Sequence, residues 1–135
     1  MNLFQYYLEQ VLVNITWIKP SLNEEIDEFE RTSKELNINK EQLIESFKDG
    51  KLITLTDDIW RELKNTDSWK TKTIEDVKRL AIEYGKDLDS IINAKKLPAP
   101  IILKINNKFY LIAGNTRLMY SRANKINPLV YLIEI

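Results

Sequence analysis

The residues best suited to chemistry are Gly114, Asn115, Thr116 and Arg117. They follow an apolar run at 108–113 and open an acid-free stretch at 115–125. A strand that ends in glycine and leads through a polar residue into a helix points unpaired N–H groups at an anion. Gly114 permits close backbone approach and unusual dihedral angles. Asn115 or Thr116 can cap the helix or contact a ligand. Arg117 offers a planar fork of donors that matches phosphate. A helix start normally favours acids, so an arginine there implies either a bound anion or an ordinary solvated side chain. Lys104, in the middle of an expected strand, either faces solvent or reaches the same phosphate.

Phosphoryl transfer at such a turn needs a carboxylate that binds metal or takes a proton. Asp67, in the polar run Asn65-Thr66-Asp67-Ser68-Trp69, is the catalytic candidate, with Trp69 able to stack on a base. Its alternative role is that of a turn or cap residue. Asp57 and Asp58 suit the first turn of a helix, and Glu134 is the only acid in residues 97–135. The sequence contains neither cysteine nor histidine. That removes disulfides, thiol nucleophiles, imidazole bases and zinc clusters. No residue is assigned as a metal ligand, although Asp, Glu and Asn side chains suit a hard cation such as Mg²⁺.

The elements that must position these groups can be read from caps and periodicity. An amphipathic helix is expected at 2–14, interrupted by Glu9 and lacking the basic start of a signal peptide. Ser21 with Glu24 forms a capping-box pattern for a helix through Leu36, and Asn39 with Gln42 caps the next, stopped by Gly50. Residues 51–55 suit a strand or an extended connector. Thr56 caps 57–64, residues 65–71 form a polar loop, and Thr73 with Asp76 caps a helix through Tyr84. Asp87 starts a helix over 88–96, ended by Pro98 and Pro100. Strands follow at 101–105 and 108–113, joined by an Asn106-Asn107 turn. A helix over 115–125 and a strand from 129 complete the order. In that helix Leu118, Met119, Ala123 and Ile126 mark the core stripe, and Arg117, Tyr120, Ser121 and Asn124 fall away from it. Helices first and β-β-α-β afterwards give an α+β fold. The division is a helical extension at 1–50 and a domain at 51–135, forming one unit. The β-β-α-β segment is too small for its own core, so the helix at 73–84 is expected to pack on its sheet.

Charge is uneven along the 135 residues. Residues 1–96 hold 15 Lys/Arg and 19 Asp/Glu, whereas 97–135 hold 5 and 1. The chain as a whole is neutral, which argues against a general nucleic-acid coat. The basic final third still suits one phosphate-bearing ligand. No apolar run approaches the roughly 20 residues that span a bilayer, so no membrane association and a cytoplasmic location are expected.

The segment from Leu97 to Ile135 resembles the core of the ParB/sulfiredoxin superfamily. Pro100-Ile101-Ile102-Leu103 matches the family's first strand, Gly114-Asn115-Thr116-Arg117-Leu118 its Gly-x-x-Arg turn, Ser121-Arg122-Ala123 its helix, and Pro128 to Ile133 its last strand. It is most similar to small phage-encoded ParB-like proteins with a helical region before this core. A composition rich in Ile, Lys and Asn is compatible with an AT-rich genome. The resemblance implies a nucleotide-phosphate site at Gly114 and Arg117, in a superfamily of CTP-binding partition proteins, sulfiredoxin, a free-serine kinase and members described as nucleases. Asn115 stands where sulfiredoxin has its cysteine, which excludes thiol repair. Thr116 stands where relatives carry histidine or arginine, which weakens a ParB-type triphosphate grip. The DNA-binding region that follows this core in ParB has no counterpart before Ile135, so site-specific partition binding is not expected.

The expected function is therefore binding of a nucleotide (ATP, ADP or CTP, with Mg²⁺) or a phosphorylated small molecule at Gly114–Arg117 with Lys104. Phosphotransferase, NTPase or nuclease activity would be carried by Asp67. Whether the chain catalyses or only binds stays open. The alternatives are a non-catalytic module, phage-encoded and acting on a host protein in the host cytoplasm, and a nucleic-acid binder using the basic final third. The N-terminal helices offer a surface for a protein partner or a homodimer.

Overall fold

The computed structural model describes residues 16–68, 73–93 and 95–135. The expected helix at 2–14 and the stacking residue Trp69 lie outside these residues. The described elements are β1 (Thr16–Ile18), α1 (Ile26–Leu36), α2 (Lys40–Phe47), β2 (Lys51–Thr54), α3 (Asp57–Glu62), β3 (Leu63–Lys64) and α4 (Ile74–Glu83). They continue with α5 (Leu88–Ile92), β4 (Lys96–Pro98), β5 (Ile101–Ile105), β6 (Lys108–Ala113), α6 (Asn115–Ala123) and β7 (Leu129–Glu134). The fold class is α+β.

Local chemistry fixes many of the boundaries. The side chains of Asn39, Thr56, Thr73 and Asp87 each accept a backbone N–H of the helix that follows. Thr73 and Asp76 complete a reciprocal capping box. Asn106 and Asn107 both take positive φ, 51° and 61°, which matches the twist of the β5–β6 hairpin. Lys125, at φ 56°, closes the far end of α6, where the Ile126 N–H reaches Ser121 O at 2.9 Å.

Five strands form one mixed sheet in the order β2-β7-β5-β6-β3. β7 lies parallel to β5 and antiparallel to β2, and β5 and β6 form the antiparallel hairpin. Side chains alternate across this sheet. Ile101, Leu103, Ile112, Tyr131 and Ile133 pack on one face with Phe29 of α1 and Leu43 and Phe47 of α2. Ile102, Leu111 and Val130 pack on the other face with Trp60 of α3 and Leu118 of α6. Burial on both faces explains why Ile101-Ile102-Leu103 is an unbroken apolar run. The helices of the 1–50 segment thus share the core of the sheet.

Several boundaries differ from the sequence expectation. The Ser21–Glu24 capping box does not open α1. Leu22 packs into the core and its carbonyl accepts the Glu25 N–H, so residues 22–25 form a turn and the helix begins at Ile26. α3 stops at Glu62 because Leu63 is buried and pairs with Phe109 as an added edge strand. The helix expected over 88–96 ends at Ile92, and Lys96–Pro98 pairs in parallel with β1. α4 packs on α6 rather than on the sheet, with Val77 and Ala81 against Met119 and Tyr120. Held between the sheet and α4, α6 is buried nearly all round. Tyr120, Ser121 and Asn124, expected to face outward, are all inside. Asn124 meets the cost of burial by donating to Tyr120 O.

Candidate functional site

The hairpin carries β6 from the Asn106-Asn107 turn to Ala113, and the chain then turns at Gly114 into α6. Gly114 is the N-cap, at φ 100° and ψ 24°, with no side-chain cap and no acid in the first turn. A Cβ at this position would lie 2.7 Å from Pro100 Cβ and 2.9 Å from an Arg117 nitrogen. Both the left-handed conformation and the space require glycine. The first intrahelical bond is Leu118 N–H to Gly114 O. The N–H groups of Asn115, Thr116 and Arg117 precede it, at the positive end of the helix.

Two carboxylates reach this turn from distant parts of the chain. The loop at 65–68 docks on Asn115. The Asn115 Nδ2 donates to Asp67 Oδ2 at 2.9 Å, and its Oδ1 accepts the Asp67 N–H at 3.0 Å. The Thr66 hydroxyl also lies 3.0 Å from that Oδ1. The loop is anchored from below by the buried Ser68, whose Oγ accepts the Trp60 indole N–H at 2.9 Å. Tyr84, just past α4, donates its hydroxyl to Asp67 Oδ2 at 2.6 Å. This bond raises the Tyr84 pKa, because the phenol proton is held by the carboxylate.

The second carboxylate is Glu25, at the start of α1. Arg117 donates to Pro98 O at 2.6 Å, and its other terminal nitrogen lies 3.8 Å from Glu25 Oε1. Both side chains are largely buried, at 13% and 18% exposure. Burial raises the Glu25 pKa, against the lowering effect of Arg117. Burial lowers that of Arg117, opposed by Glu25 and Glu24. The two directions agree: the pair is too far apart for a hydrogen bond, so mutual attraction does not offset lost hydration.

The residues anticipated from sequence are placed unequally. Gly114, Asn115, Thr116, Arg117 and Asp67 come together, although Thr116 is buried and the Asn115 amide is committed to the 65–68 loop. Arg117 is turned toward Pro98 and Glu25 rather than lying open on the surface. Lys104 stands apart. It pairs across the hairpin with Phe109, whereas Ile101 is the residue opposite Ala113. Three residues of strand put it about 10 Å from the turn, where its ammonium lies 3.8 Å from Glu134 and over the Phe109 ring. Glu25 and Tyr84 were not anticipated. Their only sequence signal is chemical type, because each meets the turn through contacts distant in sequence. Two surface cavities, of about 380 and 140 Å³, lie at the hairpin end around Lys108 and include no residue of the turn. Among the described residues, no group of three acidic side chains gathers to hold a metal ion, and no helix is long and apolar enough to cross a membrane.

The arrangement presents backbone N–H groups flanked by a hydrogen-bonded carboxylate–phenol pair on one side and a buried carboxylate–guanidinium pair on the other. Such a site can receive an anion and move a proton beside it. No family model matches the chain, and comparison with curated proteins and with solved structures found no significant match.

Proposed function

We propose that this chain is a ParB/sulfiredoxin-like protein that binds a nucleotide or another phosphate-bearing ligand at the N-terminus of α6. The observation that carries the reading is the delivery of Asp67 to that helix start from 48 residues away, locked by three hydrogen bonds to Asn115 and Tyr84. A helix start with a glycine cap and no first-turn acid favours an anion electrostatically. The β5-β6-α6-β7 order, with β7 parallel to β5, supports the family reading. In a phosphotransferase or NTPase, Asp67 would orient the attacking hydroxyl or water, and Tyr84 would hold the carboxylate in place. The Mg²⁺ of a bound nucleotide would take most of its ligands from phosphate and water, with Asp67 as the protein carboxylate.

The test is a thermal-shift panel of ATP, ADP and CTP with and without Mg²⁺, run on the wild type and on Asp67→Asn. A melting-temperature rise with at least one nucleotide is expected, retained or reduced in Asp67→Asn, while any turnover is lost. No shift with any nucleotide would sink the proposal. The non-catalytic alternative is favoured by one observation, the commitment of the Asn115 amide to the loop. Binding without turnover in wild type would select it.

A further inference from the structure

Arg117 is the one strong anion-binding side chain in the turn, and it faces an internal anion, Glu25. Its guanidinium has five N–H donors. Among the described residues it makes one hydrogen bond, to Pro98 O, and one loose ionic contact, to Glu25. A tight buried pair would form bidentate bonds of about 2.8 Å, whereas this one stands at 3.8 Å. Glu25 is not held by the cap of α1 either, since its side chain makes no capping bond. The carboxylate therefore has a weak claim on Arg117, the group that a ligand anion would also pair with.

Resting on the phosphate-binding reading above, we infer that Glu25 is an exchangeable internal counter-ion that occupies Arg117 until a ligand anion displaces it. This makes Glu25 a specificity determinant. A singly charged carboxylate ligand gains little by replacing another carboxylate. A tetrahedral dianion gains a second charge and a third oxygen toward the N–H groups of α6. Glu28 and Glu24 destabilise the Glu25 carboxylate, and Lys86, between α4 and α5, stabilises it. The apparent affinity of wild type is then the intrinsic affinity reduced by the fraction of molecules in which Arg117 is released.

The experiment uses inorganic sulfate, a dianion throughout the working pH range, titrated into the full chain while the backbone amide signals of Asn115, Thr116 and Arg117 are followed by NMR. Glu25→Gln removes the competing charge and keeps the shape. It is expected to bind sulfate roughly tenfold more tightly than wild type, and acetate is expected to bind neither protein measurably. Protonation of Glu25 does the same work as the substitution. Wild-type affinity therefore rises more steeply than that of the variant as pH falls through the raised Glu25 titration. Glu24, Glu28 and Lys86 are present in both proteins, so their contributions cancel in the comparison. If the variant does not melt in a single transition, Glu25→Asp, which keeps the charge and withdraws it by one methylene, replaces it and is expected to bind a few-fold more tightly. Equal sulfate affinity in wild type and variant, with equal pH profiles, overturns the exchange and leaves phosphate binding standing. No perturbation of the turn in either protein overturns both.

Discussion

Asp67 and Glu25 reach the same helix start, but the protein treats them in opposite ways. Asp67 sits in a loop, and one oxygen of its carboxylate accepts both the Asn115 amide and the Tyr84 phenol. Glu25 lies largely buried, faces a full positive charge, and at 3.8 Å is too far from it for a hydrogen bond. Position at the first is fixed by geometry, at the second by confinement. Hydrogen bonds hold an acid where it must stay, whereas a loosely paired buried charge is held at a cost and is easily exchanged.

That contrast can be broken outright by removing the turn both acids meet. Gly114→Ala forces a Cβ against Pro100 at a φ that L-residues avoid. A loss of about 3 kcal/mol or more is expected in urea unfolding, and a wild-type midpoint would mean that the turn is not tight. Next in size is Arg117→Met, which leaves the Glu25 carboxylate buried without its counter-charge. It should cost about 2–4 kcal/mol, and adding Glu25→Gln should restore part of that loss. A strictly additive double mutant would show that the two side chains do not interact. Wild type should also lose stability relative to Glu25→Gln as pH rises above the ordinary carboxylate range. The folded state, with its raised Glu25 pKa, holds that proton more tightly than the unfolded chain. The smallest effect belongs to Asp67→Asn, about 1 kcal/mol. Its sharper signature is spectroscopic. Tyr84 titrates above an ordinary phenol because Asp67 holds its proton, so the bond stabilises the fold below that range and is lost as pH rises through the raised value. Phenolate absorbance, with Tyr84→Phe as the blank, should show the titration fall back in Asp67→Asn.

What the sequence disclosed was local. Asn39, Thr56, Thr73 and Asp87 announce their helices because a cap binds its own next turn. The Asn106-Asn107 turn and the β5-β6-α6-β7 succession are legible for the same reason. A catalytic Asp67, chosen for its type and its polar loop, was expected to lie at the Gly114–Arg117 turn, and the hydrogen bonds to Asn115 bring it there. What stayed hidden depends on partners far along the chain. β1 and β4 are three residues each, and one of them contains Pro98, so neither carries a periodic signal. Tyr120, Ser121 and Asn124 read as an outer face, because nothing local says that α4 will cover it. Glu25 falls within the helix expected after Ser21, and only the contact with Arg117, distant in sequence, distinguishes it from the acids around it.

The order of the strands has a kinetic consequence. β7 lies between β2 and β5, yet it follows both in sequence. Until residues 129–134 are in place, β2 has no neighbour in the sheet, and one face of the hairpin core lacks Val130 while the other lacks Tyr131 and Ile133. Closing this gap joins Lys51 to Leu132 across most of the chain, a contact of high sequence separation and slow formation. β2 can therefore join the sheet only through β7, the last strand in sequence. The turn at Gly114 lies between β6 and that strand in sequence, so the same long-range closure fixes where both ends of α6 are anchored.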